Sequence, residues 1–214
     1  MSSLDFFTAL STMNTDQPKK SDKKARRILK AVRCILARKG YTGTTINLVA
    51  AEAGVSRGLL HYYFKNKEEM LATVIRDNME LSVTLITGIL ENSTCASDFS
   101  ARLVAALRDV LKNDPDFFHL FFEGWAVARQ SPLVGQTLAR LYGKFREAMS
   151  DGLENALENG IIKPKLPISS VAILLTGLVD GLGLQMITEP DLTADADTWQ
   201  DIARGITGLL EGGK

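Results

Sequence analysis

The chain has 214 residues, 25 Lys+Arg against 25 Asp+Glu, 45% hydrophobic residues and two cysteines. That length buries a substantial core in one large domain or two small ones, and this composition excludes a disordered or collagen-like chain. Cys34 and Cys95 are too few and too far apart for a disulfide scaffold or a multi-cysteine zinc site, and they fit a reducing cytoplasm.

The zero net charge hides an asymmetry. Residues 1–70 carry 13 basic and 6 acidic side chains, a difference of +7; residues 71–214 carry 12 and 19, a difference of −7. A basic head suits a polyanionic partner, although charge alone is equally a solvated N-terminus. Met1 to Met13 has a short apolar patch but no basic flank, so no export signal is expected. The stretch Ile168–Ile187 is apolar enough for a membrane span, yet a lone span with Asp180 near its middle is costly. A buried helix is the expectation there, and no membrane partner.

In chain order, residues 1–22 lack sustained periodicity and read as a mobile extension, with Lys19, Lys20, Lys23 and Lys24 available as a basic arm. From Lys23 the residues Ala25, Ile28, Leu29, Val32, Ile35 and Leu36 step at helical spacing until Gly40. Thr44 or Thr45 caps a short helix to about Ala53, Gly54 breaks it, and Ser56 caps another to about Phe64. Asn66 opens a connector lasting to about Glu91. Beyond Asn92–Ser97 the stripe Phe99, Leu103, Val104, Leu107, Val110 and Leu111 forms a helix. Further helices are expected over Asp116–Gln130, from Pro132 to about Asn159, over about 168–188, and over Asp195–Leu210. The prolines fall at segment edges, and no strand-like alternation appears. The expected class is all-α.

The informative stretch is Thr44–Lys67. Val49, Ala53, Val55, Leu60 and Tyr63 or Phe64 are spaced to face inward, and Ala50 is small where two helices would cross. Gly54 suits a left-handed turn, and Leu60 anchors the second helix six residues later. A small residue, a turn glycine and an apolar anchor at this spacing are a helix-turn-helix signature. An ordinary antiparallel helix pair is the plainer reading of the same pattern.

The outward positions favour DNA. Ser56, Arg57 and Gly58 open the second helix, at the end that enters a major groove. Arg57 has the fork to read a guanine edge, Gly58 allows close backbone approach, and Tyr62 offers a face to a thymine methyl or a sugar. Thr44, Thr45, His61, Tyr63, Lys65 and Lys67 are candidate phosphate donors.

These residues resemble the tetracycline-repressor (TetR) family of bacterial transcription regulators. The elements are Gly40-Tyr41, Thr44-Thr45, Ala53-Gly54-Val55-Ser56, and Gly58-Leu59-Leu60-His61-Tyr62-Tyr63-Phe64-Lys65-Asn66-Lys67. The likeness covers about residues 24–75 and adds Leu59 to the candidate DNA-binding set. Two departures stand out: His61 replaces a usual Tyr, and Tyr63 replaces a common His. Both still donate to phosphate, with a pH-sensitive contact at His61.

The resemblance implies a three-helix DNA-binding domain (residues 23–68) after the extension, then an effector-binding and dimerising domain (69–214). Phe118, Phe121, Phe122, Trp125, Tyr142, Phe145 and Met149 are the candidate effector residues, and plain core is the alternative for each. Glu123, Arg129 and Arg140 are candidate anchors for a charged group, or surface ion pairs. Gly177 and Gly181, flanked by Leu174, Leu178 and Leu182, are the candidate dimer face, and an internal helix hairpin is the alternative.

His61 and His119 are the only histidines and have no carboxylate or cysteine at metal-ligand spacing, so no metal is expected. No phosphate loop or nucleophile elbow points to a cofactor or an enzyme. The expectation is therefore a cytoplasmic, effector-released repressor that binds a pseudo-palindromic operator as a homodimer. The rival is a helical small-molecule-binding or protein-interaction module that has lost sequence-specific DNA binding.

Overall fold

The structure is a computed structural model that describes residues 20–189, 191 and 195–212. The expected extension lies outside the described residues as far as residue 19, whereas Lys20, Ser21 and Asp22 already belong to the first helix. The described residues form nine helices and no strand: α1 (Lys20–Gly43), α2 (Ile46–Ala53), α3 (Arg57–Tyr63), α4 (Lys67–Asn92), α5 (Ala96–Asn113), α6 (Asp116–Ala128), α7 (Pro132–Glu158), α8 (Ile168–Thr188) and α9 (Ala196–Glu211).

They divide into two compact units. The first holds residues up to Ile75 together with Leu120–Gln136; the second holds Arg76–His119 and the chain from Thr137 onward. The sequence pattern places a single boundary at residue 68. The folded first unit also takes the opening of α4, most of α6 and the first turn of α7, because segments distant in sequence pack there.

In the first unit, Ile28, Val32, Ile35 and Leu36 of α1 are buried with Val49, Ala50 and Ala53 of α2 and Leu60 of α3. Ala25, Leu29, Val55 and Tyr63 are half-buried, and Phe64 carries the inward aromatic role. Gly40, with φ 64° and ψ 176°, interrupts the helical backbone of α1 and turns the chain toward α2. Thr45 caps α2, its hydroxyl oxygen accepting from Leu48 N–H at 3.3 Å.

The end of α2 is closed by Gly54 in the left-handed region (φ 59°, ψ 42°). Val55 N–H donates to Ala50 C=O at 3.0 Å and Gly54 N–H to Ala51 C=O at 3.1 Å, the paired bonds of a Schellman cap. Ser56 then caps α3 by accepting from Leu59 N–H at 3.2 Å. Arg38 pairs with Glu52 at 2.7 Å and ties α1 to α2, and Arg27 donates to Gly54 C=O at 3.4 Å. Asn66 starts α4: its Oδ1 accepts from Glu69 N–H at 2.9 Å, and Glu69 Oε2 accepts from Lys65 N–H at 2.7 Å, a reciprocal cap.

In the second unit, Phe99, Leu103, Val104 and Leu107 of α5 are buried with Met149 and Leu153 of α7, Val171 and Leu175 of α8, and Trp199, Ile206 and Leu210 of α9. Asp195 caps α9 through Asp197 and Thr198 N–H, and Lys163 N–H donates to Leu210 C=O at 2.8 Å. Helix α8 is long and apolar enough to cross a membrane by length and composition, with one third of that stretch buried. It is buried on one face only: Val171, Ala172, Leu175, Thr176, Gly183 and Met186 turn inward, while Ile173, Leu174 and Leu184 are exposed.

A Cβ built at Gly54 meets nothing within 4 Å, so the demand there is on the dihedral angle alone. Gly54→Ala is expected to lower unfolding free energy by about 1–2 kcal/mol, the cost of a left-handed alanine, measured by urea denaturation.

Candidate nucleic-acid interface and effector cavity

The start of α3 presents a polar, open face. Ser56, Arg57 and Gly58 are exposed, and a Cβ at Gly58 would meet no atom within 4 Å. Tyr62 is 83% exposed and stands edge-on to Tyr63, with ring centroids 5.6 Å apart. Arg57 Nε donates to His61 Nε2 at 3.4 Å, a contact that needs the imidazole nitrogen unprotonated. Lys65 and Thr45 are exposed on the same segment, while Leu59 and Tyr63 are half-buried.

Two of the candidate phosphate donors turn inward. Thr44 is 1% exposed and its hydroxyl donates to Gly40 C=O at 2.7 Å. Lys67 Nζ lies 4.2 Å from the Tyr41 ring centroid and donates to Tyr41 C=O at 3.4 Å. The structure thus gives both residues to the corner between α1 and α2. Sequence spacing alone cannot separate such a corner from the DNA face, because both sides of the short helix carry polar residues. Leu48 of α2, 41% exposed, is an outward apolar residue that a reading for polar DNA contacts misses.

Tyr41 organises the corner. Its hydroxyl donates to Glu68 Oε1 at 2.7 Å. Burial, then the Glu68 bond and charge, raise the phenol well above its ordinary range. The Tyr41 hydrogen bond, in turn, lowers the Glu68 carboxyl.

In the second unit, the apolar cavity has a volume of about 70 Å³ and walls from α4, α5, α6, α7 and α8, among them Ile86, Leu107, Phe118, Phe145 and Val179. Ser82 is its one hydroxyl-bearing wall residue. A larger groove of about 570 Å³ is lined by Arg108, Asp109, Lys112, His119 and Trp199 together with apolar residues such as Leu111 and Met186. The walls of the apolar cavity present almost no polar group, so an uncharged group buried there would cost little desolvation.

Of the seven candidate effector residues, Phe118 and Phe145 line this cavity. Met149 is fully buried in the core of the same unit. Tyr142, one turn before Phe145, donates its hydroxyl to Asp180 Oδ2 at 2.6 Å. Phe121, Phe122 and Trp125 belong to the first unit, and Trp125 is 49% exposed. One helix carries Phe118, Phe121, Phe122 and Trp125, but its turn spreads them over different faces. The cavity residues of α4 and α5 read in sequence as an ordinary core stripe. Gly183 admits the Phe118 ring, because a Cβ there would overlap it. Glu123, one of the candidate anchors, accepts a backbone hydrogen bond, and Arg129 and Arg140 are exposed. Among the described residues no cluster of three metal-ligating side chains occurs.

Burial raises the Asp180 carboxyl, against the opposing Tyr142 hydrogen bond. The folded state therefore holds the Asp180 proton more tightly than the unfolded chain does. This contribution to stability is present below the unfolded value and is lost as pH rises through the folded one. Asp180→Asn keeps an acceptor for Tyr142 without the buried charge. It is expected to gain stability relative to wild type as pH rises above about 4, the ordinary aspartate value, measured by urea unfolding across a pH series.

Likeness to known proteins agrees with this geometry. The model for bacterial regulatory proteins of the tetR family matches residues 28–74, and that for the C-terminal part of BetI-type transcriptional repressors matches residues 99–211. The chain is 27% identical over 165 residues to the uncharacterized HTH-type transcriptional regulator YfiR of Bacillus subtilis (strain 168), covering 75% of this chain and 78% of that one. Among solved structures, Salmonella enterica GusR superposes with a TM-score of 0.77 at 20% identity, covering 91% of this chain and 99% of that one. The regulator FadR from Bacillus subtilis, in complex with stearoyl-CoA, superposes with a TM-score of 0.70 at 18% identity, covering 89% and 99%. With one family model matching its helix-turn-helix and a second matching most of the remaining chain, the protein belongs to the tetR family of bacterial regulatory proteins.

Proposed function

We propose that this protein is a homodimeric repressor whose α3 reads a pseudo-palindromic DNA operator and whose release is driven by a small apolar or aromatic effector. The observation that carries the DNA-binding part is the open start of α3, where Ser56, Arg57 and Gly58 are exposed and Gly58 has free space beside it. Arg57 is the base reader, with two donors matched to the guanine O6/N7 edge. Tyr62 and Leu48 supply apolar contact, and Thr45, His61 and Lys65 hold phosphates. Ser56 and Thr45 spend their oxygen lone pairs on helix caps, which leaves each hydroxyl hydrogen for a phosphate.

The dimer part is supported by the outward face of α8. Ile173, Leu174 and Leu184 are exposed at 58%, 48% and 48%, and a Cβ at Gly177 or Gly181 would meet open space. Leu178 and Leu182 flank that stripe half-buried, and Gly205 and Gly208 of α9 are equally open. A second copy related by a two-fold axis covers this apolar face and sets two recognition helices about 34–36 Å apart. The effector part is supported by the apolar cavity of α4–α8. A ligand that fits it only in a conformation with the wrong head spacing lowers operator affinity by its differential affinity for the two states.

Selection of genomic fragments by the purified protein, at near-physiological salt, tests the whole reading. A recovered palindrome supports it, and no enrichment over bulk DNA from folded protein overturns it in favour of a module without sequence-specific DNA binding. On the recovered site, Arg57→Ala is expected to relax preference at one base step by about 1–3 kcal/mol. Lys65→Ala is expected to weaken all sequences alike and to reduce the salt slope by about one. Both are measured by fluorescence anisotropy across a salt series. Leu174→Glu is expected to shift the protein to monomer in sedimentation velocity and to weaken operator binding with it.

A further inference from the structure

In the first unit a polar contact of long range in sequence joins the kink of α1 to α6. Tyr41 N–H donates to Glu123 Oε1 at 2.6 Å, between residues 82 positions apart. The donor is an orphan of the fold: Gly40, at φ 64° and ψ 176°, breaks the helical ladder immediately before it, so the Tyr41 amide sits at a kink. The same glycine makes room for the acceptor, since a Cβ on Gly40 would stand 3.4 Å from Glu123 Oε1.

The other side chains that hold Tyr41 come from the start of α4, beside the Thr44 N–H that donates to its carbonyl at 3.3 Å. Glu68 takes its hydroxyl hydrogen, and Lys67 covers its ring and its carbonyl. Three residues after Tyr41, Thr44 bonds back to Gly40, and Thr45 then caps α2. The Glu123 carboxylate therefore reaches the kink from which α2 starts, and α3 follows from α2 through a closed turn. No ion pair of Glu123 occurs among the described residues, so its charge goes to a backbone donor, which makes a shorter and stronger bond than a neutral acceptor would.

We infer that Glu123 is a positioning residue for DNA binding: by holding Tyr41 N–H it fixes the corner that aims α2 and α3. This rests on the reading of α3 as the operator-binding helix. Glu123 itself touches no DNA. It lies on the part of α6 that belongs to the first unit.

The test uses full-length protein, the operator recovered by genomic selection, and a scrambled duplex of equal length. For Glu123→Ala, at least a tenfold faster hydrogen exchange of the Tyr41 amide is expected, with amides of α8 and α9 unchanged. Operator affinity should fall at least tenfold while affinity for the scrambled duplex stays within threefold, because the basic side chains are intact. Glu123→Gln keeps the acceptor oxygen and should restore both readouts to within threefold of wild type. Unchanged Tyr41 exchange in Glu123→Ala overturns the proposal, as does an equal loss in Glu123→Gln, or a parallel fall on both duplexes. If Glu123→Ala does not fold, Glu123→Gln and Glu123→Asp carry the comparison: Tyr41 exchange and operator affinity must then move together, and independent movement overturns the proposal. Wild-type protein that binds no operator sinks the functional reading instead, and the Tyr41 exchange still decides the pin.

Discussion

The DNA-binding head depends on one backbone constraint, the left-handed residue that ends α2. With Gly54 at φ 59°, the chain reverses within two residues and the Val55 and Gly54 amides close back onto Ala50 and Ala51. That closure fixes where α3 starts. The near-complete burial of Ala50 then lets the helices approach closely enough for Leu60 to reach the core at 0% exposure. Any bulkier residue at the crossing, or any strained residue at the turn, would move the exposed start of α3, and with it Arg57.

A second layer of order comes from polar groups spent on the protein rather than on solvent. Thr44, Lys67, Glu68 and Glu123 all converge on the Gly40–Tyr41 kink, each within hydrogen-bonding distance of its partner there. Their work is to satisfy groups left over when α1 breaks, and a buried unsatisfied donor there would be costly. The head is thus held in two separate ways, by an apolar core beneath and by a hydrogen-bonded corner at its edge. A head held this way suits a protein that must present a recognition helix at fixed register, because phosphate contacts and base contacts have to be made together.

The second unit obeys a different logic. Its helices share an apolar interior but leave unfilled a small cavity whose walls include Phe118 and Phe145, and leave uncovered the outward stripe of α8. Phe118 fits only because Gly183 has no side chain, so packing around the cavity is tuned by a single missing methyl group. Asp180, largely buried beside Tyr142, is a charge that burial disfavours in an otherwise apolar setting.

Much of this is legible from the residues in order. Helical periodicity locates all nine described helices to within a few residues, since the stripe Ile28–Val32–Ile35–Leu36 and its counterparts leave no alternative period. The turn glycine, the cap at Ser56, and the outward Arg57 and Gly58 are also readable, because each is a local demand met by neighbours in sequence, whereas the α2 cap is readable only as Thr44 or Thr45. What sequence cannot decide is which side of a helix meets what. Thr44 and Thr45 are adjacent, yet one is buried at the corner and the other caps α2 on the exposed side. The aromatic run of α6 reads as candidate pocket or plain core, but Phe118 and Phe121 fall in different units, a division that belongs to packing between distant segments. Local backbone chemistry is written in adjacent residues; the pairing of Glu123 with Tyr41 across 82 positions exists only once the chain has folded.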